Sequence, residues 1–268
     1  MTPRRAGGAR DLGGPSFDEI ARYTSLFGVE PTQIQHDFVV SHVLSAIAGP
    51  RDRIVFFGGT ALSRTYLDGL RLSEDIDLLA IGSRAEVARM LDRAIGERLE
   101  RRFGVVDADP WLSATRVDTD PCVFHIGGTD LRIQLLRGDS YPCWPTTVSV
   151  IEQRYAEVPD ITLMTLTASG FTAAKTVAWC DESRNAPRDL YDLWALGQRG
   201  HINAAAAAEF KRHGPTDRVP SSSIMPRRPP TDRDWRDALA RQCIPRVGPA
   251  EAYEQVQRAW AAAVSEVG

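Results

Sequence analysis

Two aspartates are the residues of this 268-residue sequence whose type and spacing best suit catalysis. Asp75 and Asp77 are two positions apart in an apolar stretch, so on a β-strand both carboxylates would lie on one face, about 7 Å apart along the chain. Ile76 and Leu78 would then face the core. Mg²⁺ prefers one or two carboxylates together with water and substrate phosphates. The pair therefore predicts a site for Mg²⁺ or Mn²⁺.

A pair of glycines precedes the aspartates and suits a phosphate group. Gly58 and Gly59 follow the apolar run Ile54–Phe57, and Thr60 opens a predicted helix. A strand that ends at glycines and enters a helix exposes backbone N–H groups at the positive end of the helix. The glycines let a phosphate approach the backbone, and the Thr60 hydroxyl adds a donor. Each feature alone is common, but a glycine turn followed by paired aspartates on the next strand predicts binding of a nucleoside triphosphate.

The elements around these residues divide the sequence into a mixed α/β part and a helical part. We expect a disordered arm at 1–15, an α/β domain at 16–158 and a helical domain at 159–268 with a mobile loop at 213–232. Strands are predicted at 54–57, 75–81, 104–107, 114–118, 122–126 and 131–136, with a hairpin turn at 127–130. Helices are predicted at 17–26, 31–48, 60–70, 84–102, 166–180, 188–196, 202–212, 232–243 and 250–267.

The composition excludes several classes of protein. No apolar run approaches the roughly 20 residues that span a bilayer, and no apolar stretch follows the N-terminal arginines, which argues against a signal peptide. The four cysteines form no CxxC pair, which argues against a zinc site or a disulfide scaffold. A cytoplasmic monomer is the expectation. The net charge of −3 gives no global case for a nucleic-acid binder, and only two lysines, Lys175 and Lys211, occur among many arginines.

Two blocks of sequence resemble a known family. Segments 56–62 (FFGGTAL) and 71–78 (RLSEDIDL) resemble the polymerase-β-like nucleotidyltransferases. Their fuller form, GGTAL followed by RxSEDIDL, is similar to the AbiEii/AbiGii-type toxins, including the MenT branch of toxin–antitoxin systems. A second block supports the likeness, since Lys175, Arg184 and the RDLYDL element at 188–193 occur in the family's order and at about its distances. The resemblance covers roughly 56–196.

The resemblance implies a fold, an activity and a set of site residues. The fold is of the α/β (α+β) class: a polymerase-β-like core with a mixed sheet, followed by a mainly helical C-terminal domain. Asp75 and Asp77 would be the metal ligands, while Lys175 would contact the triphosphate or base and Asp189 would belong to the active site. A compact lysine cation also suits phosphate on physical grounds. The predicted nucleotide-binding set is Gly58, Gly59, Thr60, Arg71, Ser73, Lys175, Arg184 and Arg188.

The roles of two further aspartates stay open at this point. Asp189 and Asp192 share a helix face at i and i+3. Asp189 is either a catalytic carboxylate or the partner of an arginine such as Arg71 or Arg188, and Asp192 could equally cap a helix or form a salt bridge.

The general base is a second open question. Many members of the superfamily carry a third carboxylate on a later strand, where this sequence has Gln134, which cannot accept the proton of an attacking hydroxyl. Asp189, Asp130 or Asp139 could replace it, or the metal could activate the hydroxyl alone.

The expected reaction is attack of a hydroxyl on the α-phosphate of an NTP with release of pyrophosphate. The resemblance suggests that the acceptor is the 3′ CCA end of tRNA, that its modification blocks aminoacylation and translation, and that a cognate antitoxin exists. Transfer to a small-molecule or protein hydroxyl (antibiotic adenylylation or AMPylation) is one alternative, and a nucleotide- or RNA-binding module without turnover is the other. Arginines of the C-terminal half could follow an RNA backbone, namely Arg184, Arg188, Arg212, Arg218, Arg227 and Arg228.

Overall fold

One mixed sheet crosses the molecule. The computed structural model describes residues 13–115, 117–181 and 186–265. Within them the sheet has seven strands in the order β3-β4-β5-β2-β1-β7-β6. The pairs β2–β5 and β1–β7 are parallel, and the other neighbours are antiparallel. The strands are β1 (Ile54–Phe57), β2 (Ile76–Ala80), β3 (Val106–Asp109), β4 (Cys122–Ile126), β5 (Thr129–Arg137), β6 (Thr146–Ile151) and β7 (Ile161–Leu166).

Helices surround this sheet in two groups. The described residues form α1 (Phe17–Phe27), α2 (Pro31–Ile47), α3 (Gly58–Ser63), α4 (Arg84–Phe103), α5 (Ala168–Cys180), α6 (Pro187–Gln198), α7 (Ala204–His213), α8 (Asp232–Leu239) and α9 (Pro249–Ser265). Helices α2 and α4 pack on each other and on β5, whereas α5 to α9 pack mainly among themselves and reach the sheet through α5 and β7. No helix of the described residues is long and apolar enough to cross a bilayer.

The central strands show why the sequence folds as a sheet. All four residues of β1 are buried, and in β5 the buried leucines and isoleucine alternate with exposed polar residues. Gly127 and Gly128 join β4 to β5 with φ values of 55° and 80°, the two consecutive positive values of a two-residue hairpin turn. This turn sets the register of β5 against β4. On its other side β5 pairs with β2 in parallel, and Gln134 lies beside Asp77.

The predicted α/β class is confirmed, and some element boundaries are corrected. The described residues of 114–118 form no strand, and residue 116 lies outside them. The Asp92 carboxylate accepts the N–H groups of Leu112 and Ser113 and stabilises a 3₁₀ turn that ends at Ala114. The helix expected to reach Leu70 ends at Ser63. Strands β6 and β7 were not expected, although their runs of Thr, Val and Ile favour strands.

The sheet also bears on the predicted division of the chain. Strand β7 lies beyond the predicted boundary at 158/159 and pairs with β1, so the sheet continues past that point. The division into two domains stays a prediction. Most of the expected arm at 1–15 lies outside the described residues. The segment between α7 and α8 contains no helix or strand, but Met225 within it is buried.

Candidate active site

Strand β2 presents the two aspartates as its alternation predicts. Asp77 is the second residue of the strand and Asp75 immediately precedes it. Both are partly exposed, while Ile76 and Leu78 are fully buried. The carboxylates therefore leave the same face of the sheet, at the edge where β1 ends.

The glycine turn lies directly against these carboxylates. Phe57, the last residue of β1, pairs with Asp77, and the chain then enters α3 through Gly58 at φ 77°. A Cβ atom at Gly58 would overlap the Asp77 carboxylate. At Gly59 an added Cβ would lie 3.0 Å from Arg71 Nη2 and 3.1 Å from Ser73 Oγ. Neither position has room for a side chain without displacing a predicted site residue.

Thr60 occupies a different place from the one expected. Its side chain is buried, and its hydroxyl donates to the backbone carbonyl of Asp75 instead of lining the cavities beside the aspartates. The contact joins the first turn of α3 to the segment that carries the aspartates. Thr60 thus positions Asp75 within the folded chain.

A buried ionic network lies behind the aspartates. The Arg71 guanidinium donates through Nε and Nη2 to both oxygens of Asp192, each at 2.7 Å. Burial alone would raise the pKa of Asp192, but the charges of Arg71 and Lys175 outweigh it and lower the pKa to about 2. Of the roles left open for Asp192, the structure shows a salt bridge, and its partner is Arg71. This pair fixes Arg71 behind the aspartates.

Lys175 extends this network into the site. Its ammonium lies 2.7 Å from Asp189 Oδ1 and 2.7 Å from Asp192 Oδ2. Burial opposes the positive charge, yet the two carboxylates outweigh it and hold the pKa of Lys175 above its ordinary value. Lys175 is consequently a charged group with a fixed position. Asp189, for which an arginine partner was considered, pairs with this lysine.

Gln242 completes the network and could not be found from the sequence. Its side-chain Oε1 accepts from Arg71 Nη1 at 2.7 Å, and its backbone carbonyl accepts the N–H of Leu72 at 2.9 Å. Gln242 follows α8, far along the chain from Arg71. No motif marks an isolated glutamine, so only the folded structure brings it to the site.

Two adjoining cavities open at this cluster. The first, of about 430 Å³, is lined by both aspartates, Ser73, Lys175, Arg188 and Asp189 among others. The second, of about 300 Å³, shares Gly59, Asp77, Lys175 and Asp189 with the first and extends to Phe57, Tyr141 and Phe171. All the predicted site residues except Thr60 and Arg184 thus line one cavity or the other. Arg184 lies outside the described residues.

Comparisons with known proteins identify the family and the fold of this chain. The family model of the nucleotidyl transferase AbiEii toxin, type IV TA system, matches residues 42–266. The chain belongs to this family. Among solved structures, MenT4, a nucleotidyltransferase toxin from Mycobacterium tuberculosis H37Rv, matches with a TM-score of 0.66 and 18% identity over 92% of this chain and 89% of that chain. At this identity the match shows a shared fold. A search of curated proteins finds no match.

Family membership makes this protein a nucleotidyltransferase with an NTP substrate. Such enzymes typically use a divalent cation, and the carboxylate oxygens of this site are suitable ligands for one. Among the described residues no group of three or more His, Cys, Asp or Glu side chains could hold a metal by itself. Asp75 and Asp77 offer two carboxylates beside an open cavity. That set suits Mg²⁺, whose remaining ligands are commonly water and substrate phosphates.

Strand β5 does not supply the third carboxylate found in many nucleotidyltransferases. Gln134 takes the position beside Asp77, and its amide donates to the Thr119 carbonyl. Of the replacements considered, Asp130 pairs with His125 at 2.7 Å and Asp139 is exposed. Among these candidate bases, Asp189 lines both cavities together with Asp77.

Proposed function

We propose that this AbiEii-family enzyme transfers a nucleoside monophosphate from an NTP to the terminal hydroxyl of an RNA, foremost the 3′ CCA end of tRNA. The product would be unable to accept an amino acid, and translation in the cytoplasm would stop. The observation that carries the proposal is the shared cavity in which the Asp75 and Asp77 carboxylates face the fixed ammonium of Lys175.

The aspartates and the glycine turn receive the triphosphate in this proposal. Asp75 and Asp77 hold Mg²⁺, which when bound offsets the negative charge of the phosphates. Gly58 and Gly59 leave the space beside the carboxylates free of side chains, so phosphate oxygens can reach the backbone. Ser73, whose hydroxyl lies against Gly59, supplies a further donor.

Lys175 supplies the protein's own positive charge. Its ammonium lies at the junction of the two cavities, and a charge-assisted hydrogen bond from it to a phosphate oxygen would strengthen as negative charge builds up on the phosphate. Asp189 and Asp192 keep it charged and in place. Arg71 is buried and held by Asp192 and Gln242, so we assign it a positioning role.

The smaller cavity suits the nucleoside. Phe57 and Tyr141 line it with ring centroids 4.9 Å apart, and Tyr141 is partly exposed while Phe171 is buried behind them. Aromatic rings stack on any nucleobase. The donor nucleotide would therefore lie with its base near Tyr141 and its phosphates near Asp77 and Lys175.

Membership of a type IV toxin–antitoxin family implies a cognate antitoxin. An RNA acceptor is favoured over a small hydroxyl compound because the cavity beyond Asp75 is wide, open and flanked by Arg132, Arg188 and Arg241. A transferase for a small molecule would need an enclosed acceptor pocket instead.

Labelled transfer tests the proposal directly. The protein is incubated with total tRNA, Mg²⁺ and each α-labelled NTP in turn, alongside Asp75→Ala and, as a matched control, Asp160→Ala, which changes an exposed aspartate before β7. We expect label at the tRNA 3′ end, a loss of about 10³-fold in Asp75→Ala and no loss in Asp160→Ala. Label on proteins or small hydroxyl compounds, with none on RNA, would refute the RNA acceptor. Full transfer by Asp75→Ala would refute the assigned metal site.

A further inference from the structure

A third and larger cavity, which we call the acceptor groove, begins at Asp75 and leads away from the catalytic cluster. It measures about 840 Å³ and runs between the first turns of α2 (Thr32, Gln33 and His36) and the β4–β5 hairpin, which contributes Arg132. Arg188 and Arg241 line both this groove and the catalytic cavity. The two spaces therefore connect beside Asp75.

Three arginines, Arg132, Arg188 and Arg241, line the groove together with three carboxylates, Glu74, Asp75 and Asp130. The side chains of Arg132, Arg188 and Arg241 are exposed, and in the described part of the chain no carboxylate lies within ion-pair distance of any of them. The nearby Asp130 is engaged by His125 at 2.7 Å. Exposed arginines without protein partners along a groove suit a ligand with repeated negative charges.

The direction of the groove suits an acceptor. Along β5 the residues Asp130, Arg132 and Gln134 alternate with buried ones and so lie on the face that carries Asp77. A chain lying over Arg132 and continuing along this face arrives at the two aspartates. The proposed nucleoside cavity lies on the other side of Asp77, toward Tyr141. An acceptor in the groove and a nucleoside in the smaller cavity would therefore reach the aspartates from different sides.

We infer that the acceptor groove binds the last nucleotides of a single-stranded RNA 3′ end, with Arg132 and Arg241 contacting its phosphodiester groups. The inference rests on the proposed function and names the path of its acceptor. The groove is wider than the nucleoside cavity, and hydroxyl and amide groups of Thr32, Gln33 and Gln35 line it beside the arginines. Such groups bind exposed nucleotide edges, which single strands present and duplexes bury.

RNA-binding measurements on the intact protein test this inference. The probe is a fluorescein-labelled single-stranded RNA of twelve nucleotides with a free 3′ hydroxyl, compared with a blunt duplex of the same length. Arg132→Gln and Arg241→Gln are compared with Arg93→Gln, which changes an exposed arginine of α4 outside the groove. Thermal melting checks that each variant is folded, and melting with NTP and Mg²⁺ reports donor binding.

We expect Arg132→Gln and Arg241→Gln each to weaken binding of the single strand about tenfold, and Arg93→Gln to leave it unchanged. Each groove variant should also reduce the slope of log affinity against log salt by about 0.7, as for one lost phosphate contact on a single strand. The duplex should bind more weakly than the single strand. Stabilisation by NTP and Mg²⁺ should be unchanged in Arg132→Gln.

Unchanged RNA affinity and salt slope in both groove variants would overturn the inference, and so would equal losses in Arg93→Gln. A poly-glutamate peptide that binds in an Arg132-dependent manner, while RNA binding does not depend on Arg132, would assign the groove to an acidic protein partner instead. The proposed function can be refuted independently of the groove. If RNA binds through Arg132 but its 3′ end is never labelled, the groove stands and the transfer reaction is refuted.

Discussion

At the scale of single residues, the site depends on one close approach of a backbone to a carboxylate. Gly58 has a positive φ, which glycine adopts without strain, and the Asp77 carboxylate fills the space that a side chain would need. Gly69 provides a natural comparison, since it has φ 64° but nothing within 4 Å of an added Cβ. Alanine variants at the two glycines therefore distinguish the effect of backbone strain from the effect of displacing Asp77.

We therefore expect Gly58→Ala to lower nucleotide transfer about 100-fold, because even a 1 Å displacement of a catalytic group can have that effect. Backbone strain should reduce its free energy of unfolding by about 1–3 kcal/mol. Gly69→Ala should show the strain alone and keep its activity. Urea unfolding and labelled transfer measure the two effects, and equal activity in both variants would contradict the assigned contact with Asp77.

Lys175 permits a second prediction at this scale. Lys175→Met leaves the carboxylates of Asp189 and Asp192 without the ammonium that they share, so we expect a loss of about 3–5 kcal/mol in the free energy of unfolding as well as loss of transfer. Lys175→Arg keeps the charge and should remain folded, but the larger guanidinium should impair transfer. Lys211→Met, at an exposed lysine, should behave as the wild type in both measurements.

The sequence could predict some of these residues and not others, for a physical reason. The alternation around Asp75 and Asp77 and the turn at Gly58 are local patterns, fixed by strand geometry over a few residues. The partners of Arg71 are far from it in sequence, and only the packing of α6 and the segment after α8 brings them together. The hydroxyl of Thr60, which the sequence suggests as a phosphate donor, donates to the carbonyl of Asp75, a contact between two segments that no local pattern predicts.

At the scale of elements, α5 and α6 hold the site together by ion pairs across the sheet edge. Lys175 comes from α5, Asp189 and Asp192 from α6, and Arg71 from the segment before β2. The order of most elements was predictable from periodicity and glycine turns. The division of roles between the two aspartates of α6 was not, because both lie on one helix face and differ only in the side chains they meet.

The ion pairs predict how stability depends on pH. The folded-state pKa of Asp192 is about 2, below its ordinary value of 3.8, so its ionised form stabilises the fold. This contribution, about 2 kcal/mol, is fully present above about pH 4 and is lost as the pH falls through about 2. Urea unfolding at several pH values should show a constant gap between the wild type and Asp192→Asn above pH 4.

Below about pH 4 that gap should narrow, because the wild type then loses the same ionised group. Asp68→Asn removes a largely exposed aspartate and should show no gap at any pH. A gap that stayed constant down to pH 2 would contradict the lowered pKa of Asp192.

At the scale of the whole molecule, the catalytic cavity lies between the sheet and the helices that follow it. Asp77 comes from β2 and Asp75 from the position before it, whereas Lys175 comes from α5 and Asp189 from α6, much later in the chain. Strands β6 and β7, which were not expected from the sequence, carry the chain from β5 past β2 and β1 to the edge at β6 and then back beside β1 at β7. Their position explains how α5 arrives beside the glycine turn.

A ligand that contacts both the aspartates at β2 and the helices α5 and α6 should stabilise the whole molecule. At a hundredfold excess over its dissociation constant, NTP with Mg²⁺ should raise the free energy of unfolding by about 3 kcal/mol. The melting temperature of the wild type should rise accordingly, while Asp75→Ala should show little change with the same additions. A full rise in Asp75→Ala, or a rise in the wild type without any divalent cation, would contradict a metal bound by the two aspartates.

Gln242 has a consequence for the way the protein is made. Asp75 and Asp77 leave the ribosome well before Gln242, the glutamine that fixes Arg71 behind them. A chain that ends at residue 231 should thus transfer no nucleotide, whereas one that ends at Ser265 should be active, as labelled transfer can show. Nascent chains that have not yet reached Gln242 would then be harmless to the cell that translates them.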